Sequence, residues 1–263
     1  MCALKLSIAT APFGLPLRAA IDQLIGSGAD GVQFELREEV RVSELGETGR
    51  RQLLHYLEER NLKVGPATFS LRRALADPVG INERIYALQD AMEAAWKLGA
   101  RQLTFRLGEL PAAEDAAGQD LLRQLLRDLA AHANRVGVVP VLIPGGEPAE
   151  RLQRLLEPIK EGPLAIEFDP AALHLSRRDT GQWLRTLNTF VQHLQIRDVI
   201  RDVSGFGKEV PLGRGEVDWD ELAALLQEVD YRGWLTVIRN GGPDPLGEAL
   251  QGLKFVRNVL ILG

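Results

Sequence analysis

Eight times along 263 residues, a short apolar run rich in β-branched residues is followed by a longer stretch with amphipathic helical spacing. The short runs are 5–10, 31–37, 63–70, 102–107, 138–143, 164–169, 192–198 and 234–240. The helical stretches cover about 16–27, 49–60, 82–98, 119–136, 149–159, 181–190, 219–229 and 246–259. Such strict alternation requires each strand to return parallel to the last through a helical crossover. Eight units of this kind close into an α/β fold, the (β/α)8 TIM barrel, and the expected organisation is a single domain over residues 1–263. A doubly wound open sheet is the alternative; it usually needs fewer strands, and no Gly-x-Gly-x-x-Gly turn is present to support it. Asp218 and Glu221 have capping-box spacing, and Gly28 and Gly99 follow helical stretches where a left-handed residue is wanted. Pro140 conflicts with a central fifth strand, because it has no N–H to donate.

The chain carries 36 acidic and 31 basic residues, a net charge of −5, with no long basic run. A nucleic-acid partner held by phosphate contacts is therefore excluded as the first reading. The lone cysteine, Cys2, cannot form an internal disulfide and suits a reducing compartment. Residues 1–10 lack a signal-peptide pattern, and the apolar tail at 259–262 is too short to span a bilayer. Cytoplasmic location is the expectation. The apolar tail would suit a barrel end or a second copy, so a homo-oligomer stays open.

Barrels of this kind place their chemistry at the C-terminal strand ends, where inward residues alternate with period two. Alternation groups Gln33, Glu35 and Arg37 on the second run, Thr104 and Arg106 on the fourth, and Glu167 and Asp169 on the sixth. His193, Gln195 and Arg197 share a face of the seventh. The fifth and eighth runs end in apolar Ile143 and Ile238, with Arg239 following the latter. Buried carboxylates need partners, so Arg37, Arg106 and Arg197 are expected to pair with Glu35 and Glu167 in an internal network. The competing reading has these arginines, with Arg201, Arg214 and Arg239, recognising an anion at the mouth. His193 is read first as a satisfied core histidine and second as a general acid/base. His55 and His132 fall on outer helices and are expected to face solvent, while His174 could reach the mouth. No Gly-x-Ser-x-Gly elbow or His-Glu-x-x-His pair is present, and Cys2 has no placed partner for nucleophilic chemistry.

Five segments fall in an order that resembles the sugar-phosphate isomerase/epimerase group of the xylose-isomerase-like barrels. They are Gly31-Val32-Gln33, Phe168-Asp169-Pro170-Ala171, His193 through Asp198, Val210 through Trp219, and Tyr231-Arg232-Gly233-Trp234-Leu235. The Pro-Leu-Gly-x-Gly-x-x-Asp-Trp loop followed by Tyr-x-Gly-Trp is the most specific part. The resemblance implies one divalent ion (Mn, Mg or Zn) held by a Glu, an Asp, a His and a Glu on strands five to eight. Carried onto this sequence, those positions are Ile143, Asp169, Gln195 and Ile238. Only Asp169 is a retained ligand; isoleucine offers no donor to a hard cation. Glu147 and Glu167 could rescue a displaced site.

The expected function is thus a sugar isomerase/epimerase-like barrel that has lost its metal site. It either binds a small polar or anionic metabolite or is non-catalytic, and needs no cofactor. The alternative is an active isomerase or epimerase, with a displaced ion or metal-free proton transfer by Glu35, Glu167, Asp169 or His193. Glu35, Arg37, Arg106, Gln195, Arg197 and Arg239 are the expected substrate contacts, and a related three-zinc endonuclease is excluded by the four histidines.

Overall fold

The computed structural model describes residues 4–75, 77–201 and 207–261. Cys2 and the end of the apolar tail, Leu262, lie outside the described residues. In chain order the elements are β1 (Lys5–Ala9), α1 (Leu17–Asp22), β2 (Gly31–Gln33), α2 (Val42–Glu58), β3 (Lys63–Val64), β4 (Ala67–Thr68) and α3 (Ile81–Leu98). There follow β5 (Gln102–Gly108), α4 (Ala116–Val136), β6 (Val139–Pro144), α5 (Ala149–Leu156), β7 (Ala165–Phe168), α6 (Pro170–Leu175) and α7 (Thr180–Leu187). The chain ends with β8 (Val191–Ile196), β9 (Asp198–Arg201), β10 (Gly207–Val210), α8 (Trp219–Glu228), β11 (Trp234–Val237) and α9 (Pro245–Val256).

The main sheet is parallel throughout and runs β3-β2-β1-β11-β8-β7-β6-β5-β4. Its two ends are halves of one expected strand, divided at Gly65-Pro66. The first half pairs with β2 and the second with β5, so the segment 63–68 closes the barrel. Fully buried Phe34, Phe105 and Phe168 belong to the apolar core that fills the space between the strands and the helices. That layer is the main driving force for closure, since burying each such side chain contributes about 1.5–3 kcal/mol.

Pro140 does lie in a central strand. Val139 donates to the Arg101 carbonyl on the β5 side, so the missing N–H of residue 140 faces β7. Pairing with β7 starts only at Val141, one residue later, so no ladder bond is lost. The expected Gly99 cap is found at the end of α3, with φ of 89°, and Asp218 caps α8 by accepting from the Glu221 N–H. Gly28 is left-handed, but α1 already ends at Asp22. Two features depart from the expected order. The long loop after the seventh run contains an antiparallel hairpin, β9–β10, and α6 starts directly at the end of β7. No helix among the described residues is long and apolar enough to cross a membrane.

Candidate functional site

A cavity of about 400 Å3 opens at the C-terminal ends of the strands. Ala9, Gln33, Thr104, Ile143, Gln195 and Ile238 contribute to its wall, and Arg106 and Asn240 stand at its edge. The period-two alternation of a strand puts these residues on the inner face. The two isoleucines make that wall apolar where the resemblance implies carboxylates.

Asp169 ends β7 and caps α6, accepting from Ala172 N–H at 3.0 Å through Oδ1. Its Oδ2 accepts from Arg197, whose Nε and Nη2 both lie 2.8 Å away. Burial pushes the Asp169 carboxyl above its usual range, while Arg197 and the Ala172 N–H pull against that rise. Burial also opposes the Arg197 charge, yet Asp169, then Glu209 and Glu167, outweigh it and raise its pKa. The hairpin β9–β10 carries Glu209 over the mouth, 3.8 Å from Arg197 Nη1 and 3.1 Å from Arg239 Nη1. Arg239 Nε in turn donates to Glu248 at 2.6 Å. Charges therefore alternate along one rim: Asp169, Arg197, Glu209, Arg239, Glu248.

The carboxylates expected to pair with arginines find other partners. Glu35 is buried and accepts from three backbone N–H groups, those of Arg37 at 3.0 Å, Glu38 at 2.6 Å and Ser70 at 2.8 Å. Bridge-forming strand ends turn sharply here, and their free amides take up the carboxylate. Glu167 is 1% exposed and faces His193, with Oε2 2.8 Å from Nδ1. His193 Nε2 lies 2.7 Å from Thr236 Oγ1, which is 2.7 Å from Ser7 Oγ. This polar chain forms a closed middle layer and does not line the mouth cavity. The expected pairing of Arg37 or Arg106 with Glu35 and Glu167 is thus corrected. Arg37 lays its guanidinium 4.5 Å from the Phe69 ring centre, with its Nε buried and without a partner among the described residues. Arg106 is exposed and forms no ion pair among the described residues.

Other expected positions resolve plainly. Glu147 accepts from the Leu110 and Gly145 N–H groups with one oxygen each, at 3.0 and 2.8 Å. His174 lies 2.8 Å from Glu216, and Arg201 donates to the His174 carbonyl. His55 is exposed as expected, but His132 is buried on the inner side of α4. Sequence reasoning missed Glu209, Glu248 and the role of Asp198. Two unmatched arginines at the ends of adjacent strands, 197 and 239, were a signal that an acid had to come from elsewhere. Asp198 is fully buried and accepts five N–H groups: Val199 and Val217 on Oδ1, and Gly213, Gly215 and Trp219 Nε1 on Oδ2. It therefore organises the whole Pro-Leu-Gly-x-Gly loop. A Cβ at Gly215 would overlap this carboxylate, so only glycine fits there.

The donor set can be weighed against a divalent ion. A hard cation wants about six oxygen or nitrogen ligands. Asp169 has both oxygens engaged, Gln195 offers one neutral carbonyl, and Ile143 and Ile238 offer nothing. No group of three or more His, Cys, Asp or Glu side chains that could hold a metal occurs among the described residues.

Comparison with solved structures gives close matches of shape at low identity. A xylose isomerase domain protein from Planctomyces limnophilus is 20% identical, with a TM-score of 0.81 over 98% of this chain and 99% of that one. D-psicose 3-epimerase with D-tagatose, from Clostridium cellulolyticum H10, is 16% identical, with a TM-score of 0.78 over 98% and 100%. A xylose isomerase-like TIM barrel protein from Mycobacterium smegmatis, in complex with magnesium, is 15% identical, with a TM-score of 0.75 over 99% and 97%. At these identities the likeness establishes the fold. A search among curated proteins finds no sequence match. The sequence model described as "Xylose isomerase-like TIM barrel" matches residues 21–259, nearly the whole barrel, and the chain belongs to that family.

Proposed function

We propose that the mouth of this barrel binds a small polar or anionic metabolite, and that Arg197 has replaced a divalent ion as the cation beside Asp169. One observation carries the reading. The retained carboxylate is already neutralised by a guanidinium at 2.8 Å, with neither group lining the cavity, while Ile143 and Ile238 present hydrocarbon to it. Glu147 supports it, because both of its oxygens are committed to backbone amides and neither is free to rescue a displaced ion.

The ligand class follows from the lining. Gln33, Thr104, Gln195 and Asn240 suit hydroxyl groups, and the unpaired Arg106 suits a carboxylate or phosphate. A sugar acid or sugar phosphate meets both demands, which accords with the sugar-processing names among the structural neighbours. Arg197 and Arg239 are held by Asp169, Glu209 and Glu248, so we assign them to shaping the rim rather than to gripping the ligand. Glu167 and His193 we assign to the middle layer, since neither lines the cavity. Glu35 does line the cavity, but its oxygens hold the β2 end and Ser70 through backbone amides. Asp169 is left as a structural carboxylate. We place the protein in the cytoplasm, where its lone cysteine stays reduced.

The test has two arms. Protein incubated with Mn2+, Mg2+ and Zn2+ and then desalted should retain a sub-stoichiometric amount of each by elemental analysis. A panel of sugar acids and sugar phosphates should raise the melting temperature of the wild type and not of Arg106→Ala. One equivalent of divalent ion, lost on Asp169→Asn substitution, would refute the reading.

A further inference from the structure

The opposite end of the barrel holds a second cavity, of about 580 Å3, ringed by the N-terminal ends of the strands. Lys5 opens β1, Lys63 opens β3, and Arg101 immediately precedes β5. All three are exposed and line this cavity together with Arg232. The chain as a whole has more acids than bases, 36 against 31, yet four bases and no Asp or Glu line this cavity, and of the four only Arg232 is ion-paired among the described residues, with Asp230. Lys5, Lys63 and Arg101 have no ion pair among the described residues. Two of the three stand against aromatic rings. Lys5 Nζ stands 5.6 Å from the Trp234 ring centre, and the Arg101 guanidinium 6.0 Å from that of Trp96.

Like charges gathered in a concave wall repel each other and focus their field outward, so the arrangement raises the local concentration of anions. The volume lies in the range of small-molecule sites. Leu57 and Leu62 supply an apolar wall, and Gln102 carries a buried Oε1 with no hydrogen-bond partner among the described residues. The floor is built rather than accidental. The Trp234 ring crosses from β11 to lie against Gly31 of β2, where a Cβ would come within 3.0 Å of Cη2 and 2.6 Å of the Lys63 carbonyl oxygen. Trp234 thereby closes the base beneath the Ser7–Thr236–His193–Glu167 layer and separates this cavity from the mouth.

We propose that the basal cavity is a second binding site, independent of the mouth, for a small molecule bearing two or more linked phosphate groups. Lys5, Lys63 and Arg101 bind the phosphate oxygens through charge-assisted hydrogen bonds. The uncharged part of the ligand rests on Leu57 and Leu62. Lysine supplies point charges and arginine a planar fork, a mixture suited to several non-equivalent oxygens.

Isothermal titration of the intact protein with pyrophosphate tests this. Saturable binding is expected, weakening as salt is raised, with inorganic phosphate at least tenfold weaker. Lys63→Ala and Arg101→Ala should each weaken pyrophosphate by about tenfold, the effect of losing one charge-assisted bond. Both side chains are exposed, so ligand-free melting temperatures should match the wild type. Arg73→Ala, an exposed base lining neither cavity, should leave pyrophosphate binding unchanged. Absence of saturable binding to the wild type overturns the proposal. So does undiminished binding by both basal variants, equal affinity for inorganic phosphate, or loss of binding in Arg73→Ala.

Discussion

Replacing Arg197 by methionine tests the central ion pair most directly, because it removes the charge while keeping an unbranched stem. Asp169 would then be left without its cation, capped only by the Ala172 N–H. Removing one partner of a fully buried pair costs about 3–5 kcal/mol. Here the side chains are 22% and 13% exposed, so solvent partly screens the orphaned charge and the cost falls to about 2 kcal/mol. For a chain of this size that corresponds to a melting temperature lower by roughly 4–8 °C. The loss should depend on pH with a definite sign. Burial already raises the Asp169 carboxyl, and losing Arg197 raises it further. The native state then binds more protons than the unfolded chain, so stability falls as pH rises through the native pKa of Asp169. Urea unfolding followed by tryptophan fluorescence should show a larger deficit at about pH 8 than at about pH 5. The double variant Asp169→Asn/Arg197→Met keeps the helix cap and has no charge to strand, so it should recover most of the loss. The reasoning fails if Arg197→Met costs less than about 0.5 kcal/mol, the scale of an ordinary surface change. It fails equally if the deficit ignores pH or the two single losses simply add.

Asp198→Ala should destabilise by about 3 kcal/mol or more, because five N–H donors lose one buried acceptor; limited proteolysis should then cut within 210–219, where the wild type resists. Gly233→Ala drives a Cβ into Tyr231 Oη and to 2.6 Å from the Gln192 carbonyl, and a loss of about 1–3 kcal/mol is expected in urea unfolding. Glu39 has its carboxyl raised, first by burial, against hydrogen bonds from Thr10 and the Glu35 N–H. Its ionisation therefore lowers stability as pH rises above the ordinary carboxylate range. Glu39→Gln should be more stable than the wild type at neutral pH and lose that advantage in acid; equal curves at both would count against the assignment.

The barrel was legible in the sequence because period and length separate strands from helices, and eight repeats leave few topologies. Strand-end positions were legible for the same reason: alternation alone grouped Glu167 with Asp169, and Gln195 with Arg197. Partners were not legible. Glu35 and Glu147 look like catalytic carboxylates in one dimension, yet backbone amides at turns satisfy them, and amide directions depend on dihedral angles that residue type does not specify. Glu209 reaches the rim because a hairpin folds back over it. Its own neighbours in sequence gave no period that separated β10 from loop. His132 was misplaced since an outer helix of a barrel still buries one stripe.

The exchange of a metal ion for a guanidinium, on the proposed reading, is locked by charge. A site of the kind the resemblance implies would bring three carboxylates to a dication. Here Asp169 meets a monocation, Arg197, at 2.8 Å, and Glu209 stands 3.8 Å from the same guanidinium, so the rim needs no further anion. Ile238→Glu alone would place a second carboxylate on an apolar wall with no cation to meet it. Ile143→Glu would instead sit beside Arg106, its register partner, and consume that free charge. Removing Arg197 alone strands Asp169. The steps at 197 and 238 are therefore unfavourable before an ion can bind, and gain their compensation only together. Arginine stays protonated throughout the physiological range, so this cation cannot be lost to chelation or to a change of pH.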